Sequence, residues 1–358
     1  MEAKKKQRHT AKRVYDRLFV LNTRERLIVL IELLPVTLLR KKQIFGKNKG
    51  FLPLEHIPGE AQLDFGEAEY FENGTLRSGH HLNLSFPYSN QGFTQLLPGE
   101  NQECLFEGMI AIFEHMGMVP RKIWFDNAST IVTKILKKDD RLLTDSFLRF
   151  AEHYGFQYVF CNPNRGNEKG NVENKVGYHR RNLLVPRPRL SNLADFNAEL
   201  LQKCDEDAKR IHYRKNVQID ELYEVDKARL LPLPTVPLNV SRYVTVKTNA
   251  YGRFYLEKGL HEYSVSPKFA SSKVLVEITA NEVIPLDENQ REITRHKRLY
   301  GGHKQQSMDW LPYLTQLSRY PRALKYTGIY QMLPHQCKRT LKAVQRPIAV
   351  KSSGLLPP

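Results

Sequence analysis

The chain has 358 residues, of which 41% are hydrophobic, and this is enough to bury a sizeable core in two or three domains. Lys and Arg outnumber Asp and Glu by 55 to 38, so the formal net charge is +17. A charge of this sign predicts a polyanionic partner, with nucleic acid as the first choice and an anionic membrane surface as the alternative. We see no amphipathic anchor that would support the membrane alternative.

Cysteine usage and hydropathy exclude several other classes of protein. No Cys-x-x-Cys pair occurs, so neither a zinc ribbon nor a disulfide framework is indicated, and a reducing, cytoplasmic location is expected. The N-terminus lacks the apolar stretch of a secretory signal. The apolar run at 27–39 contains Glu32 and Pro35 and is too short for a membrane span. The four cysteines are scattered: Cys104, Cys161, Cys204 and Cys337.

The first half of the chain predicts strands followed by alternating helices and strands. Residues 1–50 are expected to be a basic, partly helical segment. Strands are predicted at 61–66, 80–86, 92–97, 121–126 and 157–161, and helices at 103–118 and 142–154. A loop at 162–170 then leads into a helix for which Asn171 is the predicted N-cap.

This order predicts three strands paired by hairpins and two later strands joined by parallel crossovers. The expected fold class is therefore α/β, with a ribonuclease H-like mixed five-stranded sheet covered by helices, over residues 51–185.

Two carboxylates fall where such a sheet places its sites. Asp64 lies inside the first strand, and Asp126 ends the fourth, next to the edge at which parallel strands terminate. Most acidic residues of a chain are solvated surface. An acid within an apolar strand is costly, however, unless it is paired or bound to a metal.

A third acid, Glu173, is predicted in the first turn of the next helix, where the helix dipole favours a carboxylate. Glu168, in the preceding loop, is the alternative third acid. The basic residues around this acid suit a metal ion that must bind phosphate. As alternatives, Lys175 could lie on a solvated helix face and Arg180 could form an internal salt bridge. The predicted DNA-contacting residues are Lys169, Lys175, Arg180 and Arg181.

The second half predicts a helical linker at 186–240, a small five-stranded β-barrel domain at 241–300 and a basic C-terminal region at 301–358, partly helical with a disordered tail. The barrel strands are expected at 253–256, 262–265, 273–279, 282–286 and 292–296. Basic residues near its strand ends could form a DNA-backbone patch or an ordinary solubilising surface: Arg291, Arg295, His296, Lys297 and Arg298.

Three blocks carry a resemblance to a known family. They are GEAQLDFGE at 59–67, WFDN at 124–127, and CNP at 161–163 with GNEKGNVE at 166–173. Together they resemble the catalytic core of IstA-type transposases of bacterial insertion sequences, within the group of DDE transposases and retroviral integrases. The resemblance covers roughly residues 42–330.

The resemblance implies a catalytic and metal-binding triad of Asp64, Asp126 and Glu173 that holds two Mg²⁺ or Mn²⁺ ions. The implied activity is cleavage of DNA at the ends of the element, followed by transfer of the 3′ strand into target DNA. The implied partners are DNA, an IstB-type ATPase helper and further copies of the chain assembled on DNA. The implied location is cytoplasmic and nucleoid-associated.

The family normally has a helix-turn-helix ahead of this core, and no such pattern precedes it here. We therefore expect a truncated copy, able to join DNA but poor at recognising transposon ends. Two alternatives stay open: a non-catalytic DNA-binding competitor of the full-length enzyme, and a ribonuclease H-like nuclease that only hydrolyses DNA.

Overall fold

The structure, a computed structural model, describes residues 56–125, 131–135, 141–161, 166–318, 329–332 and 334–344. The predicted basic segment 1–50 and the tail 347–358 lie outside the described residues. The chain divides into two compact units. The first holds the described residues up to Val244, with Glu277–Val283 and Tyr300–Gly302, and the rest belongs to the second. No helix in the described ranges is long and apolar enough to cross a membrane.

The first unit is built on a long antiparallel hairpin. Strand β1 (Glu60–Glu72) pairs with β2 (Thr75–Ser85) through Asn73 and Gly74, which both have positive φ. An Asn-Gly pair suits this position because two positive φ angles give a turn whose twist matches that of the strands. Strand β3 (Gly92–Leu97) pairs antiparallel with β2.

The later elements of this unit complete the sheet and cover it. In chain order they are α1 (Gln102–Met116), β4 (Met118–Val119), β5 (Lys122–Phe125), β6 (Val132–Ile135), β7 (Arg141–Leu143), α2 (Asp145–Tyr154), β8 (Gln157–Phe160), α3 (Gly166–Leu183), β9 (Arg189–Leu190), α4 (Leu193–Ala208), α5 (Ile219–Lys227) and β10 (Leu231–Pro232).

The strand order is β3-β2-β1-β5-β8, with β9 paired to β1. Strand β5 is parallel to β1, and β8 is parallel to β5. The mixed α/β sheet predicted from the order of strands and helices is thereby confirmed. The short β6–β7 hairpin was not predicted, because lysines and aspartates interrupt the apolar alternation of that stretch.

Aromatic packing joins the helices α1 and α2 to the sheet. The rings of Phe106 on α1 and Phe150 on α2 stack with their centroids 4.5 Å apart. Phe125, at the end of β5, meets Phe147 edge to face at 5.4 Å. All four side chains are buried, so the carboxyl end of β5 is anchored in the largest part of the core.

Helix α4 covers the edge strand β3. The Leu96 backbone N–H donates to Asn197 Oδ1 at 2.8 Å, and Asn197 Nδ2 donates to the Leu96 carbonyl at 2.8 Å. One amide side chain therefore satisfies backbone groups of the edge strand that a further strand would otherwise pair. Leu200 of the same helix is fully buried beside Leu96.

Two expectations about helices and sheets are corrected. Helix α3 begins at Gly166, so Asn171 lies inside the helix and is not its N-cap. Gly170, inside the helix, costs roughly 1 kcal/mol relative to alanine, and packing of the later turns offsets this cost.

The expected five-stranded barrel is also wrong, because the described residues between 242 and 307 contain two open sheets and no closed barrel. One has the order β11-β14-β15-β16 and the other β12-β13-β17. Closure fails because β13 pairs with β17, a strand outside the expected range, and not with β14. The strands are β11 (Arg242–Lys247), β12 (Arg253–Leu256), β13 (His261–Ser264), β14 (Lys273–Ile278), β15 (Glu282–Leu286), β16 (His296–Lys297) and β17 (Gln305–Ser307). The helices that follow are α6 (Leu311–Ser318), α7 (Ile329–Met332) and α8 (His335–Val344).

Candidate catalytic site

Asp64 lies on β1, on the face of the sheet that helix α3 covers. Side chains alternate along a strand, so Asp64 shares this face with Gly66, which meets Val176 of α3. Its side chain is half-buried, and its Oδ1 accepts a hydrogen bond from the Phe65 backbone N–H at 2.8 Å. Asn83 lies directly opposite on β2.

Three neighbouring strands reach the same level of the sheet at this point. Leu63 of β1 is in register with Phe125 of β5, and Phe125 is in register with Phe160 of β8. Asp64 directly follows the first of these residues. Asp126 directly follows the second in the sequence, but Asp126 itself lies outside the described residues.

Helix α3 approaches the sheet closely because two glycines face it. A Cβ atom on Gly66 would lie 2.6 Å from Val176 Cγ1 and 2.4 Å from His81 Nε2. A Cβ atom on Gly92 would lie 2.4 Å from Lys175 Cε and 2.8 Å from His179 Cε1. Contacts under 3.0 Å would force atoms apart, so a larger residue at either position would displace the side chains packed against it.

A buried polar network fills the space between the sheet and this helix. Asn83 Nδ2 lies 2.9 Å from His81 Nδ1, and His179 Nδ1 lies 3.0 Å from Asn83 Oδ1. Asn83 Nδ2 also donates to the His81 carbonyl at 3.1 Å and lies 3.5 Å from the Asp64 carbonyl oxygen. The three side chains are at most 1% exposed, so water does not compete for these bonds.

Burial keeps both histidines neutral. It lowers the pKa of His81 to about 3, with a smaller contribution from the positive charge of Arg180. It also lowers the pKa of His179 well below its usual range, and the nearby Lys175 acts in the same direction. Each Nε2 atom lacks a hydrogen-bond partner among the described residues.

The structure places Lys175 in the interior, contrary to the DNA contact expected of it. Its side chain is 4% exposed, its Nζ donates to the Asn90 carbonyl at 2.6 Å, and it lies 5.3 Å from the centre of the Tyr178 ring. Burial, followed by the charge of Arg210, lowers the pKa of Lys175 to about 8. The hydrogen bond from the Lys175 ammonium group to Asn90 therefore holds helix α3 against the loop after β2.

Arg180 and Arg181, further along the same helix, are half-buried. Burial and the neighbouring Arg181 lower the pKa of Arg180, whereas the Glu67 carboxylate on β1 opposes that shift. The guanidinium of Arg181 lies back over Gly177, where an added Cβ would be 2.9 Å from Nη1. Arg180 is therefore held near the strand that carries Asp64.

The other predicted site residues fall outside what the structure describes. Glu173, Glu168 and Lys169 lie within helix α3, but their side chains are outside the described part of the chain. Among the described residues, no group of three or more His, Cys, Asp and Glu side chains could hold a metal ion.

Two of the five basic residues predicted near the strand ends beyond residue 290 are buried, and three are exposed. His296 is buried, with its Nδ1 2.9 Å from Ser307 Oγ and its Nε2 2.7 Å from the Ser264 carbonyl. Arg298 is also buried, and Arg295 Nη2 forms an ion pair with Glu292 at 2.7 Å. Arg291, Arg295 and Lys297 are the exposed members of the predicted set.

Sequence reasoning missed His81, Asn83 and His179. His81 and Asn83 are two residues apart in a strand and so share a face, and this face is the one on which Asp64 lies. This alternation along the strand was the sequence signal that could have placed His81 and Asn83 beside Asp64. Nothing in the sequence paired it with a histidine almost a hundred residues later.

No protein-family profile matches the chain. The chain is nevertheless similar to several curated transposases. It is 27% identical over 316 residues to the transposase of IS1326/IS1353 from Pseudomonas aeruginosa, covering 86% of this chain and 61% of that protein. It is 29% identical to a transposase from Aminobacter aminovorans, covering 82% of this chain and 59% of that protein.

The transposase of IS21 from Pseudomonas aeruginosa is 24% identical, covering 66% of this chain and 60% of that protein. The resemblance to insertion-sequence transposases drawn from the three motif blocks is thus confirmed. The chain spans about three fifths of the length of these relatives.

Two solved structures can be set beside the chain. A simian T-cell lymphotropic virus intasome matches 80% of this chain and 94% of its own, with 15% identity and a TM-score of 0.36. The HTLV-2 integrase catalytic core domain in complex with magnesium matches 49% of this chain and 99% of its own, with 14% identity and a TM-score of 0.30.

Proposed function

We propose that this chain carries the catalytic core of a DNA transposase, with Asp64, Asp126 and Glu173 as its acidic triad. The observation that supports this most is the common level at which β1 and β5 reach Leu63 and Phe125. The residue after each is an aspartate. Parallel neighbours in register present following residues at one edge of the sheet, where sites of α/β proteins gather.

Helix α3 supports the choice of the third acid. Val176 packs against Gly66, two residues beyond Asp64 on the same face of β1. Residue 173 precedes Val176 by three positions, which is nearly one helical turn. Residue 168 precedes it by eight, so Glu173 is the better candidate for an acid near Asp64.

The chemistry of this donor set fits divalent metal ions. Three carboxylates supply the hard oxygen ligands that Mg²⁺ and Mn²⁺ prefer. Two such ions, when bound, would supply Lewis-acid activation of the attacking hydroxyl group and stabilisation of the leaving oxygen. The triad residues would hold them at the edge of the sheet.

The remaining residues would bind and orient DNA. Arg180, Arg181 and Lys169 would contact phosphates beside the reacting bond, which fixes the strand without reading its sequence. The proposed reaction first hydrolyses a phosphodiester bond at the end of the element. The freed 3′-hydroxyl then attacks a target phosphodiester, so one bond forms as one breaks.

The proposed partners follow from the same assignment. They are the DNA of the element ends and of the target, an IstB-type ATPase helper and further copies of this chain on DNA.

A strand-joining assay tests the proposal. The full chain is incubated with Mn²⁺ or Mg²⁺, a labelled pre-cut DNA end and a target duplex. We expect joined products with the wild type and with Glu168→Gln. Asp64→Asn, Asp126→Asn and Glu173→Gln should abolish them, because these three changes weaken metal ligation with little change of shape. Hydrolysis without joining would favour the nuclease alternative, and DNA binding without either reaction would favour the non-catalytic competitor.

A further inference from the structure

We propose that Asn83 is a positioning residue that, through His179, fixes helix α3 relative to strand β1 and thereby sets the separation of Asp64 and Glu173. The inference rests on the proposed function, since it concerns how two of the proposed acids are held. Its basis is the polar contact between the sheet and the helix.

The hydrogen-bond directions in this contact form one consistent set. His179 donates from Nδ1 to Asn83 Oδ1, and Asn83 Nδ2 donates to His81 Nδ1. The second N–H of the Asn83 amide faces the carbonyl oxygens of His81 and Asp64. A single amide therefore uses both its acceptor and its donors, and it fixes the orientation of both imidazole rings.

The contact differs from ordinary helix packing because it is polar and dry. Apolar surfaces tolerate small sliding movements, whereas directional bonds in a buried site are lost when the helix turns or shifts. A loss would leave polar atoms unsatisfied beside the unpartnered Nε2 atoms of His81 and His179. The helix is thus held to one rotation and one height above β1.

Other contacts along the same face support this role. Gly66 and Gly92 leave no spare room beneath the helix, and Lys175 Nζ bonds to the Asn90 carbonyl at 2.6 Å. The residues that make these contacts, Lys175, Val176 and His179, begin two positions after Glu173. The fixed part of the helix therefore lies immediately beside the third proposed acid.

The test measures Mn²⁺ affinity of the full chain by calorimetry, with thermal unfolding recorded for every variant. His179→Leu and Asn83→Leu remove the bridge, and His179→Asn restores an N–H donor at the position of the imidazole Nδ1. Asn197→Leu is the matched control, because it removes two 2.8 Å hydrogen bonds at the far edge of the sheet. Groups that orient metal ligands typically change affinity by about 10- to 100-fold when they are removed.

We expect His179→Leu and Asn83→Leu to weaken Mn²⁺ binding at least about tenfold, at the low end of that range. His179→Asn should recover most of the Mn²⁺ affinity. Asn197→Leu should lower the melting temperature and leave the Mn²⁺ affinity unchanged. Unchanged affinity in folded His179→Leu overturns the inference while the proposed function stands. If Asn83→Leu does not fold, the Leu and Asn variants of His179 are sufficient to test the inference. A wild-type chain that binds no Mn²⁺ at millimolar concentration overturns the proposed function and, with it, this inference.

Discussion

Gly66 determines how closely helix α3 can lie to the strand that carries Asp64. Gly66→Ala should reduce the free energy of unfolding by about 1–3 kcal/mol, because its Cβ would overlap both Val176 and His81. Urea denaturation measures this difference. Gly302→Ala is the control, since a Cβ there meets nothing within 4 Å, and its effect should stay within about 0.5 kcal/mol. Equal effects of the two changes would contradict the close approach of helix and sheet.

Lys175 and Arg181 have the same charge but different surroundings. Lys175→Met should leave the salt dependence of DNA binding unchanged, because the ammonium is buried on the Asn90 carbonyl. Arg181→Gln should lower the slope of log affinity against log salt by about 1, the value for one lost phosphate contact. Fluorescence anisotropy with a random duplex at several salt concentrations measures both slopes. A reduced slope for Lys175→Met would mean that the lysine leaves its buried position on DNA.

At the scale of elements, the contact between β2 and α3 makes folding sensitive to acid. His81 and His179 are buried as neutral groups, with folded-state pKa values below that of an unfolded histidine, about 6.5. The unfolded chain therefore binds more protons below that pH, and stability falls as the pH falls. Each histidine should contribute about 1.4 kcal/mol per pH unit well below pH 6.5.

Urea unfolding of the wild type and of His179→Gln between pH 7 and pH 5 measures this contribution. The variant should show a shallower loss of stability, because one buried group no longer titrates. His303→Gln, at an exposed position, is the control. If the wild type and His179→Gln lost the same stability as the pH falls, the conclusion that His179 is buried in its neutral form would be wrong.

The same contact shows where prediction from sequence stops. Strand and helix order follows from local periodicity and turn residues, so the mixed sheet and the position of Asp64 within it could be predicted. The pairing of Asn83 with His179 depends on packing between distant segments, which local patterns do not encode. Lys175 was expected on the surface for the same reason, since its charge gave no sign of a carbonyl partner on a loop eighty-five residues away. The prediction of a barrel was wrong because β17, a strand beyond the expected domain, pairs with β13.

At the scale of the whole molecule, the net charge of +17 indicates a polyanionic partner, but it does not place the interface. Several basic residues that looked available for DNA, among them Lys175 and Arg298, are buried in the fold. The interface we propose is therefore narrower than the charge count implies. It centres on the edge of the sheet at Asp64 and on Arg180 and Arg181 of helix α3.

The most direct test of the account is a crystal structure of the full chain with Mn²⁺, in which anomalous scattering locates the ions. We predict two ions about 3.5–4 Å apart at the carboxyl edge of the sheet, ligated by Asp64, Asp126 and Glu173. Glu168 in place of Glu173 would correct only the third ligand. Asp64 and Asp126 on different faces of the fold, or ions bound away from both, would contradict the proposed mechanism.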